Sequence, residues 1–325
     1  MAQWEPDCAL ALLKDGRVLA VGSTINYYDT GGLGDASIFD PASGQWTPTG
    51  SPLEAMYLPT ATSLDDGRVV VAGSGYVEVY DPSSGKFSKA GTLLDKRYLA
   101  AATPLLDGRI LLTGGWDLPD PKGVLRELKT AQIYDPKTGQ TTWTGSMSTV
   151  RDRGQAVRLE DGRVLMMGGN ANLAEDPLAS AEIFDPSTGT FTLTGSMAEP
   201  RADFSAALLP DGRVLVAGGG PIPVSGEIGG VHVEIYDPVT GKFKAAGTAA
   251  IDPRLRLVTM PLPDGRVVMV DLDGTAGIFD LSSDYQPFTS LDPIGTYEGG
   301  EWSGTAILLR DGRVLFPGSP SSWIL

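Results

Sequence analysis

Side chains able to do chemistry line up ahead of a phrase, Asp-Gly-Arg, that the chain repeats seven times. Ten residues before each of its aspartates stand Glu5, Met56, Arg97, Arg151, Arg201, Arg254 and Glu301. Eight residues before stand Asp7, Leu58, Leu99, Arg153, Asp203, Arg256 and Ser303, and Tyr57, Tyr98 and Trp302 fall between the two sets. Guanidinium groups gathered at one level can hold an anionic or hydroxyl-rich group, and Glu5, Asp7 and Glu301 can hold hydroxyls or a cation. Under that reading the binding set is Arg97, Arg151, Arg153, Arg201, Arg254, Arg256, Tyr57, Tyr98 and Trp302, with Trp116 from a nearby loop. The same acids suit proton transfer, with Glu5, Asp7, Asp203 or Glu301 as general acid or base beside arginines that stabilise developing negative charge. The competing reading is structural: each arginine braces a neighbouring loop.

What must position these groups is a repeat of about fifty residues. The phrase's aspartates are Asp15, Asp66, Asp107, Asp161, Asp211, Asp264 and Asp311, spaced by 51, 41, 54, 50, 53 and 47 residues. An Asp-Gly pair between apolar runs predicts a two-residue hairpin turn. The run after it, as in "RVLVAGG", is apolar on nearly every residue and predicts a strand covered on both faces, its glycines marking crowded backbone. A second phrase, as in "VEIYDPVTG" (233–241), predicts a strand and a turn opened by Asp, held by Pro and closed by Gly. One more strand with an outward-facing aromatic follows. Each unit thus reads as four antiparallel strands, a to d, and sheets needing cover on both faces obtain it by packing radially on one another.

The repeated glycine pair, the aromatic before Asp-Pro and the aromatic of strand d resemble the kelch-repeat family over essentially the whole chain. The fold implied is all-β, a seven-bladed kelch-type β-propeller of four-stranded antiparallel blades forming a single domain over 1–325. "AQWEP" (2–6) matches "GQWTP" (44–48), so the N-terminal strand is expected to complete the C-terminal blade and close the ring. The scaffold also resembles the propeller domain of galactose oxidase-like copper-radical oxidases. "DCALALLKDGRV" and "MYLPTATSLDDGRV" are similar to the stretches carrying their cross-linked cysteine and its tyrosine partner, which would fall on Cys8 and Tyr57. Those enzymes also need two histidine ligands and a second tyrosine, partly from a further domain. This chain has one histidine, His232, so no metal site and no cofactor are expected.

Composition narrows the partners. A net charge of −15 repels nucleic acid and anionic membrane and favours solubility. One cysteine excludes an internal disulfide, no apolar run approaches a membrane span, and the N-terminus carries no visible secretion signal. "DLDGT" (271–275) reads as a tight hairpin rather than a calcium loop, and "GGG" (218–220) lacks the helix that phosphate binding needs. The b–c loops differ in every blade, and variable loops on a rigid scaffold carry recognition. The first expectation is therefore a monomeric binding module presenting b–c and d–a loops to a protein, a glycan or a small anionic or polyhydroxylated ligand. A protein-binding face would centre on Trp116, Tyr27 or Tyr28. The alternatives are an enzyme of lyase, isomerase or cyclase type at the channel mouth, and a purely structural propeller.

Overall fold

The computed structural model describes residues 8–22, 35–54, 56, 59–98, 100–117, 126–171, 176–220, 230–252, 257–271, 275–282, 288–291, 306–316 and 323–324. The chain divides into two compact units, Met1–Trp143 with Gly299–Leu325, and Thr144–Glu298. The first holds three four-stranded antiparallel sheets, each a meander in the order a-b-c-d. They are Ala9–Leu12, Val18–Val21, Ala36–Asp40 and Gln45–Pro48; Thr60–Ser63, Val69–Gly73, Tyr76–Asp81 and Lys86–Thr92; and Ala101–Pro104, Ile110–Thr113, Ala131–Asp135 and Gln140–Trp143. A two-stranded ribbon, Trp116–Asp117 with Arg126–Glu127, stands between strands b and c of the third. The second unit holds the fourth sheet (Gln155–Arg158, Val164–Met167, Ala181–Asp185, Thr190–Leu193), the fifth (Ser205–Leu208, Val214–Ala217, Val231–Asp237, Lys242–Ala249) and the sixth (Leu257–Pro261, Val267–Asp271, Ala276–Phe279, Phe288–Ser290).

These sheets are the blades of a propeller, and among the described residues those with four strands number six where the repeat count anticipates seven. The seventh Asp-Gly-Arg phrase lies in a three-stranded sheet of Ile307–Leu308, Val314–Phe316 and Trp323–Ile324. The segment expected to add its fourth strand, residues 2–6, lies outside the described residues. This three-stranded sheet packs on the first: Leu309 and Leu315 cluster with Val18 and Phe39, and Arg313 donates to the Pro41 carbonyl at 2.9 Å.

Strand b is covered on both faces because its alternate residues serve different neighbours. Val69 and Val71 join Leu19 and Val21 of the first sheet, whereas Val70 and Ala72 join Ile110 and Leu112 of the third. The aromatic before Asp-Pro is buried as well, and where it is tyrosine its hydroxyl bonds the end of the preceding sheet. Tyr80 Oη meets Thr49 Oγ1 at 2.7 Å, and Tyr236 Oη meets Thr194 Oγ1 at 2.8 Å. In the third sheet Trp143, two residues further along strand d, faces outward as expected at 52% exposed, but the strand-d aromatic that pairs directly with the strand-c aromatic does not. It tilts onto the strand-c aromatic, with centroids 4.9 Å apart for Tyr80–Phe87 and 4.8 Å for Phe184–Phe191. That packing removes apolar ring area from water and offers edge-to-face contact.

The Asp-Gly-Arg hairpin also differs from the expected two-residue turn. Gly16 N–H donates to the Leu13 carbonyl and Leu13 N–H to the Arg17 carbonyl, so Lys14, Asp15 and Gly16 form a three-residue loop. Among the three only Gly16 is left-handed, at φ 91°, as in a type I turn closed by a glycine bulge. Asp15 stays out of the positive-φ region because its carboxylate caps the Arg17 N–H at 3.0 Å and pairs with the Arg17 guanidinium at 2.7 Å. All seven copies repeat this fork. The arginine is thus part of the turn.

Candidate functional site

The segments leading into strand a are anchored from strand c. In the second sheet, buried Glu78 accepts from Leu53 N at 2.9 Å and Glu54 N at 2.8 Å. In the fourth, Glu182 accepts from the backbone and hydroxyl of Ser148, and in the fifth Glu234 accepts from Ala198 N at 2.8 Å. In the third, Gln132 takes this place, accepting from Leu94 N and donating to Asp95, both at 2.8 Å. Each is a single polar residue placed inward on an otherwise apolar strand, as in "VEVYD", "AQIYD", "AEIFD" and "VEIYD". Sequence reasoning passed over these four; that misplaced polarity was the signal for them.

Three of the arginines close onto these anchors. Arg97 is 2% exposed, donating to Asp95 at 2.7 Å, to the Thr130 carbonyl and to the Thr130 hydroxyl. Arg151 is 1% exposed, donating to the Gly168 and Ser180 carbonyls at 3.0 Å, to Ser180 Oγ at 2.9 Å and to Glu182 at 3.2 Å. Arg201 is equally buried, bonding the Gly218 carbonyl at 2.7 Å and Glu234 at 3.0 Å. Burial pushes the Arg97 and Arg151 guanidinium groups below their ordinary value, against the pull of Asp95 and Glu182 respectively.

Between these levels lies the residue nine before the repeat aspartate, and here the blades diverge. Tyr98 stacks on Trp116 with centroids 4.8 Å apart, and both rings are buried. The corresponding pair in the fourth sheet is Asp152 and Asn170, joined by mutual backbone bonds of 3.2 and 2.9 Å. In the fifth it is Ala202 and Gly220. The second glycine of each pair is forced by this crossing. A Cβ on Gly169, at φ +85°, would sit 2.4 Å from the Asp152 carbonyl oxygen, and one on Gly115, at φ +82°, 2.4 Å from that of Tyr98.

In the fourth and fifth sheets the arrangement acquires features that packing does not require. Arg153 and Asp203 both hold a left-handed backbone at φ 52°, though neither is glycine. Such a conformation costs roughly 1–3 kcal/mol and concentrates at functional sites. Their side chains are each 33% exposed and approach to 3.5 Å. Beside them Asp152 is 6% exposed, and its Oδ1 has no hydrogen-bond partner among the described residues. Burial raises the Asp152 carboxyl above its ordinary value; Asp203 adds to the rise, while Arg153 and the Asn170 bonds oppose it. Asp203, Arg153, Tyr98 and Trp116 were expected at this level; Asp152 was overlooked because the ninth position was read only for its aromatics, Tyr57, Tyr98 and Trp302. Glu5, Asp7, Tyr27, Tyr28, Tyr57, Arg254, Arg256, Glu301 and Trp302 lie outside the described residues.

At the opposite end of the strands, a groove of about 590 Å³ lies between the turns of the fifth and sixth sheets. Pro210, Arg213, Pro263, Arg266 and Leu281 line it, but Arg213 and Arg266 are already forked onto Asp211 and Asp264. The Arg213 pairing holds the Asp211 carboxyl below its ordinary value.

No family model and no curated protein matches the chain. Among solved structures it is similar to one described as a novel fungal alcohol oxidase with catalytic diversity among the AA5 family, in complex with copper. The likeness has a TM-score of 0.53 at 17% identity, covering 83% of this chain and 70% of that one. It is a likeness of fold. The donor set here does not fit a copper centre of the two-histidine kind. The chain's one histidine, His232, bonds Glu199 at 2.7 Å, Cys8 is buried, and no metal-holding cluster of His, Cys, Asp and Glu occurs among the described residues.

Proposed function

We propose that this chain is a recognition propeller of kelch type, taking its ligand where the strand-a lead-ins and the b–c loops meet. The observation carrying this reading is the contrast between the two ends of the sheets. At the Asp-Gly-Arg end each of the seven arginines of the phrase is forked onto its own turn. At the other end Arg153 and Asp203 hold strained backbone beside a buried, incompletely bonded Asp152. Strain and unsatisfied polarity together are what a binding site retains and a pure scaffold has no use for. The partner class is a protein, a carbohydrate or a small polyhydroxylated molecule bound by a monomer. Arg97, Arg151 and Arg201 act as braces behind the site, and Arg153 and Asp203 reach the ligand.

Seven blades remain our reading of the whole ring. Seven Asp-Gly-Arg phrases and the three-stranded sheet packed on the first support it, with residues 2–6 supplying the missing strand. The oxidase chemistry of the structural relative is not proposed, because the residues of this chain do not supply its metal ligands. A second reading, acid–base catalysis of lyase, isomerase or cyclase type, draws on the raised Asp152 carboxyl. A thermal-shift screen of sugars and small organic acids against wild type and an Arg153→Ala/Asp203→Asn variant tests the first reading. Saturating ligand at a hundred times its Kd adds about 2.7 kcal/mol. A shift present in wild type and lost in the variant is expected; an equal shift in both would overturn it.

A further inference from the structure

We propose that the Asp152–Arg153–Asp203 cluster is built to receive a primary-amine cation, with Asp152 Oδ1 as the buried acceptor and Asp203 as the acceptor nearer solvent. The inference rests on the recognition reading above and names the chemistry of its ligand.

Three observations carry it. The first is the orphaned oxygen: Asp152 is buried to 6% exposure, Asn170 bonds its carboxyl, and Oδ1 still has no partner among the described residues. A buried acceptor without a donor is costly, and a ligand N–H removes that cost. The second is charge. Two carboxylates and one guanidinium leave the cluster one negative charge in excess when all are ionised, so it attracts a cation rather than the anion a ring of exposed arginines would hold. Among the described residues the other arginines at this level do not restore the balance, because Arg97 is paired with Asp95, Arg151 with Glu182, and Arg201 with Glu234 and Glu199. The third is access. Arg153 and Asp203 are each a third exposed, so the cluster meets solvent through them, and their left-handed backbone fixes how they are presented. Two carboxylates suit an ammonium, which offers three hydrogen-bond donors around one positive charge. Arg153 then receives a hydroxyl or carboxylate elsewhere on the same ligand.

The rest of the repeat marks this position as specialised. The third sheet fills it with the stacked Tyr98–Trp116 pair, and the fifth reduces it to Ala202 and Gly220. The fourth is where a buried carboxylate replaces apolar filling.

The test is calorimetric titration of matched pairs that differ in one group: glucosamine against glucose, and putrescine against 1,4-butanediol. Wild type, Asp152→Asn and Asp203→Asn are compared, the first substitution keeping the side chain's shape. The amine member should bind at least about tenfold more tightly than its neutral partner. That preference should vanish in Asp152→Asn and weaken in Asp203→Asn. Absence of amine binding, or an amine preference intact in Asp152→Asn, overturns the proposal. Equal binding of glucose and glucosamine, lost in Arg153→Ala/Asp203→Asn, overturns the amine inference while leaving the recognition site standing. Binding indifferent to both sets of substitutions overturns the two together.

Discussion

Replacing Arg151 with alanine separates a brace from a ligand-binding arginine by a measurable amount. The Arg151 guanidinium is wholly buried and joins the Gly168 and Ser180 carbonyls, the Ser180 hydroxyl and Glu182. Its removal leaves two carbonyls and a carboxylate buried with fewer partners, although Glu182 keeps its bonds from Ser148. Breaking a buried ion pair from one side costs about 3–5 kcal/mol. At about 2 °C per kcal/mol for a chain of this size, the melting temperature should fall by about 6–10 °C. Arg163, forked onto Asp161 in an exposed turn, is the control. Arg163→Ala should cost under about 1 kcal/mol, because solvent already screens that pair. Scanning calorimetry and urea titration of the two variants read the difference. A double-mutant cycle with Glu182→Gln should then show a coupling of about 0.5–3 kcal/mol. An Arg151→Ala protein within about 1 kcal/mol of wild type would refute the brace argument and return Arg151 to the list of ligand contacts.

Further outcomes follow from the same geometry. Glu78 holds the 53–54 backbone without help from an arginine, so Glu78→Ala should lower stability by about 1–3 kcal/mol in urea titration, Glu78→Gln by less. Gly169→Ala should be far more damaging than Gly108→Ala. Both sites are left-handed, but a Cβ at Gly169 meets the Asp152 carbonyl oxygen at 2.4 Å, whereas one at Gly108 meets nothing within 4 Å. The φ penalty alone is about 1–2 kcal/mol, and paired melting curves should show it unaccompanied at Gly108. Asp152 titrates above its ordinary 3.8 in the folded protein, so the native state binds that proton more tightly than the unfolded chain. Stability from this group is present at low pH and is lost as pH rises from about the ordinary value through the raised one. Asp152→Asn should therefore be more stable than wild type at neutral pH, with the gain disappearing in acid, as melting curves across pH will show.

Much of the blade was legible because its parts obey local rules. Continuous apolar runs marked strand b, and Asp-Pro with a closing glycine marked the c–d turn. The three-residue hairpin was missed because Asp-Gly fits two turn types, and the choice depends on an Asp–Arg fork that spans the glycine. The strand-d aromatics were expected to face outward because their partners lie on the adjacent strand rather than in the local sequence. At the candidate site, the Arg97, Arg151 and Arg201 register was visible, but their burial was not. Arginine reads as exposed until its buried carboxylate partners are recognised: Asp95 for Arg97, and the inward strand-c glutamates Glu182 and Glu234 for Arg151 and Arg201. Asp152 escaped notice because it sits between two arginines, and only comparison with Tyr98 and Ala202 identifies its position as the variable one.

The central claim, that recognition belongs to the strand-a lead-in end, is tested most directly by a ligand-observed NMR screen of sugars and amines against three proteins. These are wild type, Asp152→Asn/Asp203→Asn, and Arg163→Ala/Arg213→Ala at the opposite end of the same sheets. The account predicts a ligand whose signal transfer disappears in the first variant and persists in the second. A ligand retained by the first variant and lost from the second would contradict it, and would place recognition among the Asp-Gly-Arg turns.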